Sequence, residues 1–360
     1  MTAANSPAWL AYAAAIIAGC VLVRPASAAE QGAGVLQSCW APGDLAGRPE
    51  EKLSRWTHEQ TPLPAAKLPA ATPSPVMGTV RRVKLPPGKK LVALTFDLCE
   101  AASEVAGYDG GVIDYLRAEK VKATLFAGGK WLVHHSERGG QLLADPLFEI
   151  GTHGWSHANL HLATKPVLDT EIGGGVAAFT EVTKALTTRA CARNSADLIR
   201  IPKAPKLFRF PFGTCNPEGL AAAATEGQLA IQWDVVTGDP DKHITAEAIA
   251  RAVLAETKPG SIIVAHANGR GAHTAEALPL FVPQLRARGY EFVTVSELLA
   301  AGTPEIAPSC YERHPGDNDR YDMVRLHKDH QPFPAGKPSP PAAGKLAPPA
   351  AWPVEVDKHP

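Results

Sequence analysis

Two histidines four residues apart, His153 and His157, lie in the stretch FEIGTHGWSHANL at 148–160, just after a short apolar run. Neutral imidazole is the commonest protein ligand for a divalent metal, and two rings at this spacing can aim their nitrogens at one point. Gly151, Gly154 and the preceding Phe-Glu-Ile indicate a strand ending in a loop, so the loop's shape must supply the convergence. Alone, the pair reads equally well as two ordinary core or surface histidines. Four more polar side chains follow apolar runs elsewhere: Asp97 in LVALTFDL, Arg209 in FRFPFG, Asp239 shortly after Trp233, and His266 closing SIIVAH. Two carboxylates, an arginine and three histidines, each just after an apolar run, are hard to explain as independent structural accidents and point to one site.

The elements that must position them follow from periodicity. Apolar runs predict strands at 91–98, 123–127, 148–151, 208–211, 230–236, 261–266 and 292–295, and helix-period segments predict helices at 111–120, 166–187, 246–257 and 275–288. Regular alternation of the two implies an α/β fold of parallel strands with covering helices, either a doubly wound sheet or a barrel. The barrel is preferred because the polar residues cluster at the C-terminal ends of many different strands, which in a barrel meet at one face.

These blocks resemble the NodB-homology polysaccharide deacetylases, a carbohydrate esterase family that removes N-acetyl groups from amino-sugar polymers. The resemblance spans roughly 89–299. It is carried by Thr95-Phe96-Asp97-Leu98, by His153-Gly154-Trp155-Ser156-His157, by Arg209, Pro211 and Gly213, by Trp233 with Asp239, by Val264-Ala265-His266, and by the closing stretch GYEFVTVSEL at 289–298. It implies a distorted (β/α) barrel of about seven strands and a hydrolase using a divalent metal, zinc first, with cobalt or nickel as alternatives. His153 and His157 would ligate the metal and Asp97 would act as general base. Arg209 would orient Asp97, with Asp239 in turn holding Arg209, and His266, from the opposite side of the barrel, would protonate the departing amine. Pro211, Phe212, Gly213 and Trp233 would line the glycan site, although packing is the simpler role for Trp233.

The chain departs from the family pattern at Leu98, where a second aspartate normally supplies the third metal ligand. Leucine cannot ligate. Asp97 itself, Glu100 or Asp109 could replace it; Asp109 is more simply a helix N-cap, so Glu100, on the loop beside the site, is the preferred ligand. Cys99 is a soft ligand candidate, but a buried structural thiol is its simpler role. Two other classes stay open, an inert carbohydrate-binding barrel and a metal-independent hydrolase of a small amide.

The flanks bound the compartment. Residues 9–23 are almost continuously apolar and PASA at 25–28 offers a small-residue cleavage site, so 1–28 is expected to be a signal peptide, with a lipid on Cys20 as a minor alternative. A secreted or periplasmic protein without an integral span in its mature form follows. Five cysteines beyond the leader suit an oxidising compartment, with Cys39–Cys310 and Cys191–Cys215 as one possible pairing. Residues 29–88 read as an extension with a proline-rich linker, 89–303 as the barrel, and 304–360 as a disordered Pro-Ala-Lys tail. Equal numbers of acidic and basic residues, 36 each, give no reason to expect nucleic acid as a partner.

Overall fold

In the computed structural model, strand and helix alternate around one curled sheet; residues 34–323 are described, apart from 66–67 and 69. The segment expected to be a signal peptide and the chain beyond 323 lie outside the described residues. Ten strands form the sheet: β1 (Thr79–Lys84), β2 (Leu91–Leu98), β3 (Ala123–Ala127), β4 (Phe148–Thr152), β5 (Leu207–Phe208), β6 (Leu229–Ile231), β7 (Val235–Val236), β8 (Ile262–His266), β9 (Glu291–Val293) and β10 (Thr303–Ala307). Their order is β10-β1-β6-β5-β4-β3-β2-β8-β7, with β9 paired to the first half of β2. All pairs are parallel except β10 with β1. The sheet curls far enough for Arg82 of β1 to bridge Ser261 at the start of β8, which joins two strands distant in the order.

Strand periodicity separates two cores. Successive side chains of a strand face opposite sides of the sheet. Leu94, Phe96 and Leu98 of β2 face outward, in one apolar cluster with Ile113, Leu116, Phe281 and Leu285 of the covering helices. Ala93 faces inward with Val80, Phe126, Leu207, Ile231 and Val264. Thr95 and Asp97 share that inner side, so β2 delivers a carboxylate into the barrel mouth while Leu98 seals the helical layer.

The covering helices begin where local chemistry allows. Helix α1 (Gly110–Ala118) and the long α2 (Lys165–Thr187) pack on the outer face, the latter with Pro166 in its first turn, where a missing N–H costs nothing. Asn216 caps α3 (Pro217–Thr225) through Gly219 N at 2.7 Å, and Thr245 caps α4 (Ala246–Glu256). Helix α5 (Thr274–Ala287) completes the layer beside the site.

The flanks differ from the sequence expectation. Residues 79–84 are a strand of the main sheet rather than the end of a linker, and 303–307 pair with them, so the fold runs past the expected boundary at 303. Arg81, expected on an extended segment, is buried: its guanidinium donates to the carbonyls of Tyr311 and Glu312 (2.6 and 2.7 Å) and covers the Tyr311 ring. Val35, Leu36 and Trp40 enter the outer core. The disulfides are Cys39–Cys191 and Cys215–Cys310, not the pairing suggested from sequence, and Cys99 is a free buried thiol. Each bridge ties a flank to the barrel. Among the described residues no helix is long and apolar enough to cross a membrane.

Candidate active site

A cavity of about 410 Å³ opens at the C-terminal ends of the strands, lined among others by Asp97, Cys99, His153, His157, Asp239 and His266. Arg209, one residue beyond β5, is completely buried beneath it. Its Nη1 donates to Asp97 Oδ1 and Thr95 Oγ1 at 2.8 Å each, and Nε and Nη2 donate to the carbonyls of Ile231 and Gln232. The rings of Phe126 and Trp233 lie 4.0 and 5.3 Å from the guanidinium carbon. Burial works to depress the guanidinium's pKa, and Asp97 opposes it. The pair fixes Asp97 as a carboxylate acceptor with Oδ2 turned to the cavity, 3.7 Å from His153 Nε2.

Asp239 does not hold Arg209. Its Oδ1 accepts from His266 Nδ1 (2.9 Å), and its Oδ2 accepts from His266 N (2.7 Å) and Thr274 Oγ1 (2.6 Å). Thr274, the first residue of α5, spends its hydroxyl on this carboxylate. Burial opposes the charge on His266, yet Asp239 more than offsets it and raises the imidazole pKa well above its usual value; Asp239 is held low in return. His266 also does not come from across the barrel: β8 is the neighbour of β2, and His266 is in register with Asp97. The site therefore contains two separate carboxylate–cation pairs, with Asp97 and His266 on adjacent strands.

The histidine pair is shaped by its loop. His153 continues from β4, 1% exposed, and its Nδ1 donates to the Arg209 carbonyl at 2.8 Å, which leaves Nε2 buried without a hydrogen-bond partner. His157 has φ 57°, the left-handed region, and its ring lies 5.0 Å from that of His153 and 4.3 Å from that of Phe212. Gly154 at φ 73° makes the turn between them, and a Cβ there would meet Glu171 Oε2 at 2.8 Å.

Glu171 is a functional residue the sequence did not reveal. From the buried side of α2 it accepts from the backbone N–H groups of Trp155 and Ser156 (3.0 and 2.9 Å) and from Ser156 Oγ (2.5 Å), fixing the loop that carries both histidines. Its only sequence signal is an acid at an inward position of a helical repeat. Glu171→Gln replaces an acceptor of several N–H donors by an amide, and the expected cost is about 1–3 kcal/mol of stability, measured as a lowered denaturant midpoint at unchanged m.

Glu100, the preferred third ligand from sequence, is not at the cavity. Its carboxylate bonds His134 Nδ1 (2.5 Å) and Ala106 N (2.9 Å) and lies 3.9 Å from Lys130, and burial pushes its pKa up to about 7. The alternation of β2, carried one step past its end at Leu98, accounts for the outcome: Cys99 lines the cavity with Asp97, and Glu100 does not. Cys99 is thus the residue beside the histidines, and the donor atoms of Cys99, His153 and His157 all lie within 4.8 Å of one another. Burial opposes a thiolate there, but His157 and His153 hold the thiol well below its usual range. An orphaned Nε2 whose Nδ1 is tied to a carbonyl is the arrangement of a ligating histidine, so these residues fit a divalent metal.

Of the expected substrate residues, Phe212 and Trp233 line the cavity; Pro211 and Gly213 shape the turn, Phe212 at φ 57° and Gly213 at φ 63°. Tyr321, in the segment expected to be tail, has its ring tilted against that of Phe212 at 5.2 Å and forms part of the wall with Glu312.

A parallel barrel with acid–base pairs and a two-histidine centre at its strand ends defines a hydrolase of the (β/α) class. The family model for polysaccharide deacetylases matches residues 84–230 of the chain. A peptidoglycan-N-acetylglucosamine deacetylase of Bacillus cereus is 28% identical over 218 residues, 60% of this chain and 91% of that protein. The PgdA deacetylase of Listeria monocytogenes is 29% identical over 58% of this chain, which spans 39% of that protein. The crystal structure of the peptidoglycan N-acetylglucosamine deacetylase Bc1960 superposes with a TM-score of 0.50 at 26% identity, covering 61% of this chain and 93% of that one.

Proposed function

We propose that the protein is an exported, metal-assisted N-deacetylase of amino sugars in a glycan such as peptidoglycan. The observation that carries this is the pairing of Asp97 with Arg209 and of His266 with Asp239 beside the His153–His157 centre, with Asp97, Asp239 and His266 lining the same cavity as the two histidines. A divalent metal held by the two histidines would polarise the acetyl carbonyl and lower the pKa of a bound water. Asp97, oriented by Arg209 through the Nη1–Oδ1 contact, takes a proton as water adds to the carbonyl carbon. His266, kept protonated by Asp239, gives its proton to the sugar nitrogen as the C–N bond breaks, so acetate and a free amine leave. Phe212, Tyr321 and Trp233 offer apolar faces to a sugar ring. Two disulfides agree with an oxidising compartment and with removal of a leader over 1–28.

Acetate release from N-acetylglucosamine oligomers and from peptidoglycan, before and after chelation and with zinc or cobalt restored, tests the proposal. Release that falls on chelation and returns with metal is expected. Glycan binding with no release would leave an inert carbohydrate-binding barrel, and release unaffected by chelation would leave a metal-independent hydrolase.

The His266–Asp239 pair sets a pH signature. An acid held protonated by a carboxylate loses function only as pH rises through its raised pKa, so the alkaline limb of kcat/KM belongs to His266. Asp239→Asn removes the stabilising charge and is expected to move that limb to lower pH, with the acidic limb in place. A pH–rate profile with an unmoved alkaline limb would show that another group supplies the proton.

A further inference from the structure

We infer that Cys99, as a thiolate, is the third protein ligand of the metal, making a two-histidine, one-cysteine centre in which the sulfur stands in for the family's carboxylate. The inference rests on the metal-assisted reading above and names what completes that site.

Three observations converge. Leu98, at the family's ligand position, faces the helical layer and is fully buried in it, and Glu100 is engaged by His134 and Ala106 on that same side, so neither reaches the histidines. Cys99 takes the inward side: it is 1% exposed, outside both disulfides, and among the described residues it is the one metal-binding donor clustered with both His153 and His157. The third is the state of His153. Its Nε2 is buried with no geometric hydrogen-bond partner while Nδ1 is anchored on the Arg209 carbonyl, and its donor atom lies within 4.8 Å of the Cys99 sulfur. The backbone of Cys99 is fixed as well, because its carbonyl accepts from Asn268 Nδ2 at 2.6 Å.

The chemistry is consistent with zinc or cobalt. Both accept mixed nitrogen and thiolate ligands, and three protein ligands leave a fourth position for water or substrate. On binding, the Cys99 S–H bond gives its proton to solvent and the sulfur lone pair forms the metal bond. Cys99 also clusters with Asp97 and His266, so the sulfur is close to the acid–base groups as well as to the histidines. A thiolate is a softer and stronger donor than a carboxylate oxygen, which predicts a preference for zinc and cobalt over magnesium or manganese.

Cobalt titration of the chelated full-length protein tests the assignment without reference to turnover. Wild type should develop a sulfur-to-cobalt charge-transfer band in the near ultraviolet that saturates with stoichiometric metal. Cys99→Ser should lose the band and bind cobalt more than about 100-fold more weakly, beyond the 10–100-fold typical of changes to residues outside the ligand set. Cys99→Asp should bind cobalt without the band, which separates loss of sulfur from loss of the site. Should the variants fail to fold, X-ray absorption at the zinc edge of wild type stands alone: a sulfur scatterer at about 2.3 Å is expected. Stoichiometric metal with no sulfur signal, or a band that survives in Cys99→Ser, overturns the assignment and leaves the metal-assisted reading standing. Failure of wild type to bind zinc or cobalt at all overturns both.

Discussion

Asp97→Asn is expected to lower acetate release by about 10²–10⁴-fold, the usual worth of a positioned general base, while the protein stays folded. The substitution keeps the shape of the side chain and an oxygen for Arg209 Nη1, which donates to Asp97 Oδ1 at 2.8 Å. What disappears is the group that accepts the proton of the attacking water. Steady-state kinetics on an N-acetylglucosamine oligomer, with circular dichroism as the folding check, measures it. The loss should fall on kcat and kcat/KM together, because the missing step occurs only in the transition state. Release at the wild-type rate would remove Asp97 from the role of base.

Arg209→Met should cost about 3–5 kcal/mol of stability, the range for removing one partner of a buried ion pair, and most of the activity with it. Methionine fills much of the space between Phe126 and Trp233 but leaves Asp97 without its cation and the Ile231 and Gln232 carbonyls without donors. Denaturant unfolding of wild type, Arg209→Met, Asp97→Asn and the double variant gives the coupling. If the pair behaves as described, the double variant recovers part of the stability, since the neutral amide no longer needs the charge, and recovers none of the activity. Additive stability losses would show that Arg209 acts through its carbonyl contacts and packing alone.

Much of the barrel was legible because its strands are buried and therefore apolar. The runs at 91–98 and 123–127 are the observed β2 and β3 to the residue, and the long helical repeat at 166–187 begins one residue early, at Lys165. The fold class and the family were readable for the same reason, because strand ends announce themselves where an apolar run meets a charged residue. The strand of 79–84 was missed because TVRRVK carries two arginines, and only tertiary structure shows Arg81 satisfied by the Tyr311 and Glu312 carbonyls. The third ligand was misplaced because Glu100 was judged by chemical type and nearness in sequence, whereas side-chain parity along β2 decides which residue enters the cavity. The partner of Asp239 was misassigned because its loop turns toward α5, a direction that periodicity does not encode. Glu171 stayed hidden because an acid in a helical repeat looks the same whether it meets water or caps a distant loop.

The cross-links carry a consequence for how the chain matures. Cys39 and Cys99 precede Cys191 along the chain, and the native partner of Cys39 is Cys191. Under the proposed export, a polypeptide that emerges N-terminus first into an oxidising space offers Cys39 and Cys99 to each other before the correct partner arrives, and that premature bridge would consume the thiol proposed as metal ligand. Thiolate attack can reverse it, so the yield of competent protein becomes a property of the host's disulfide-exchange machinery. Misbridged chains with intact sequence and an occupied Cys99 are the expected by-product of expression where exchange is slow.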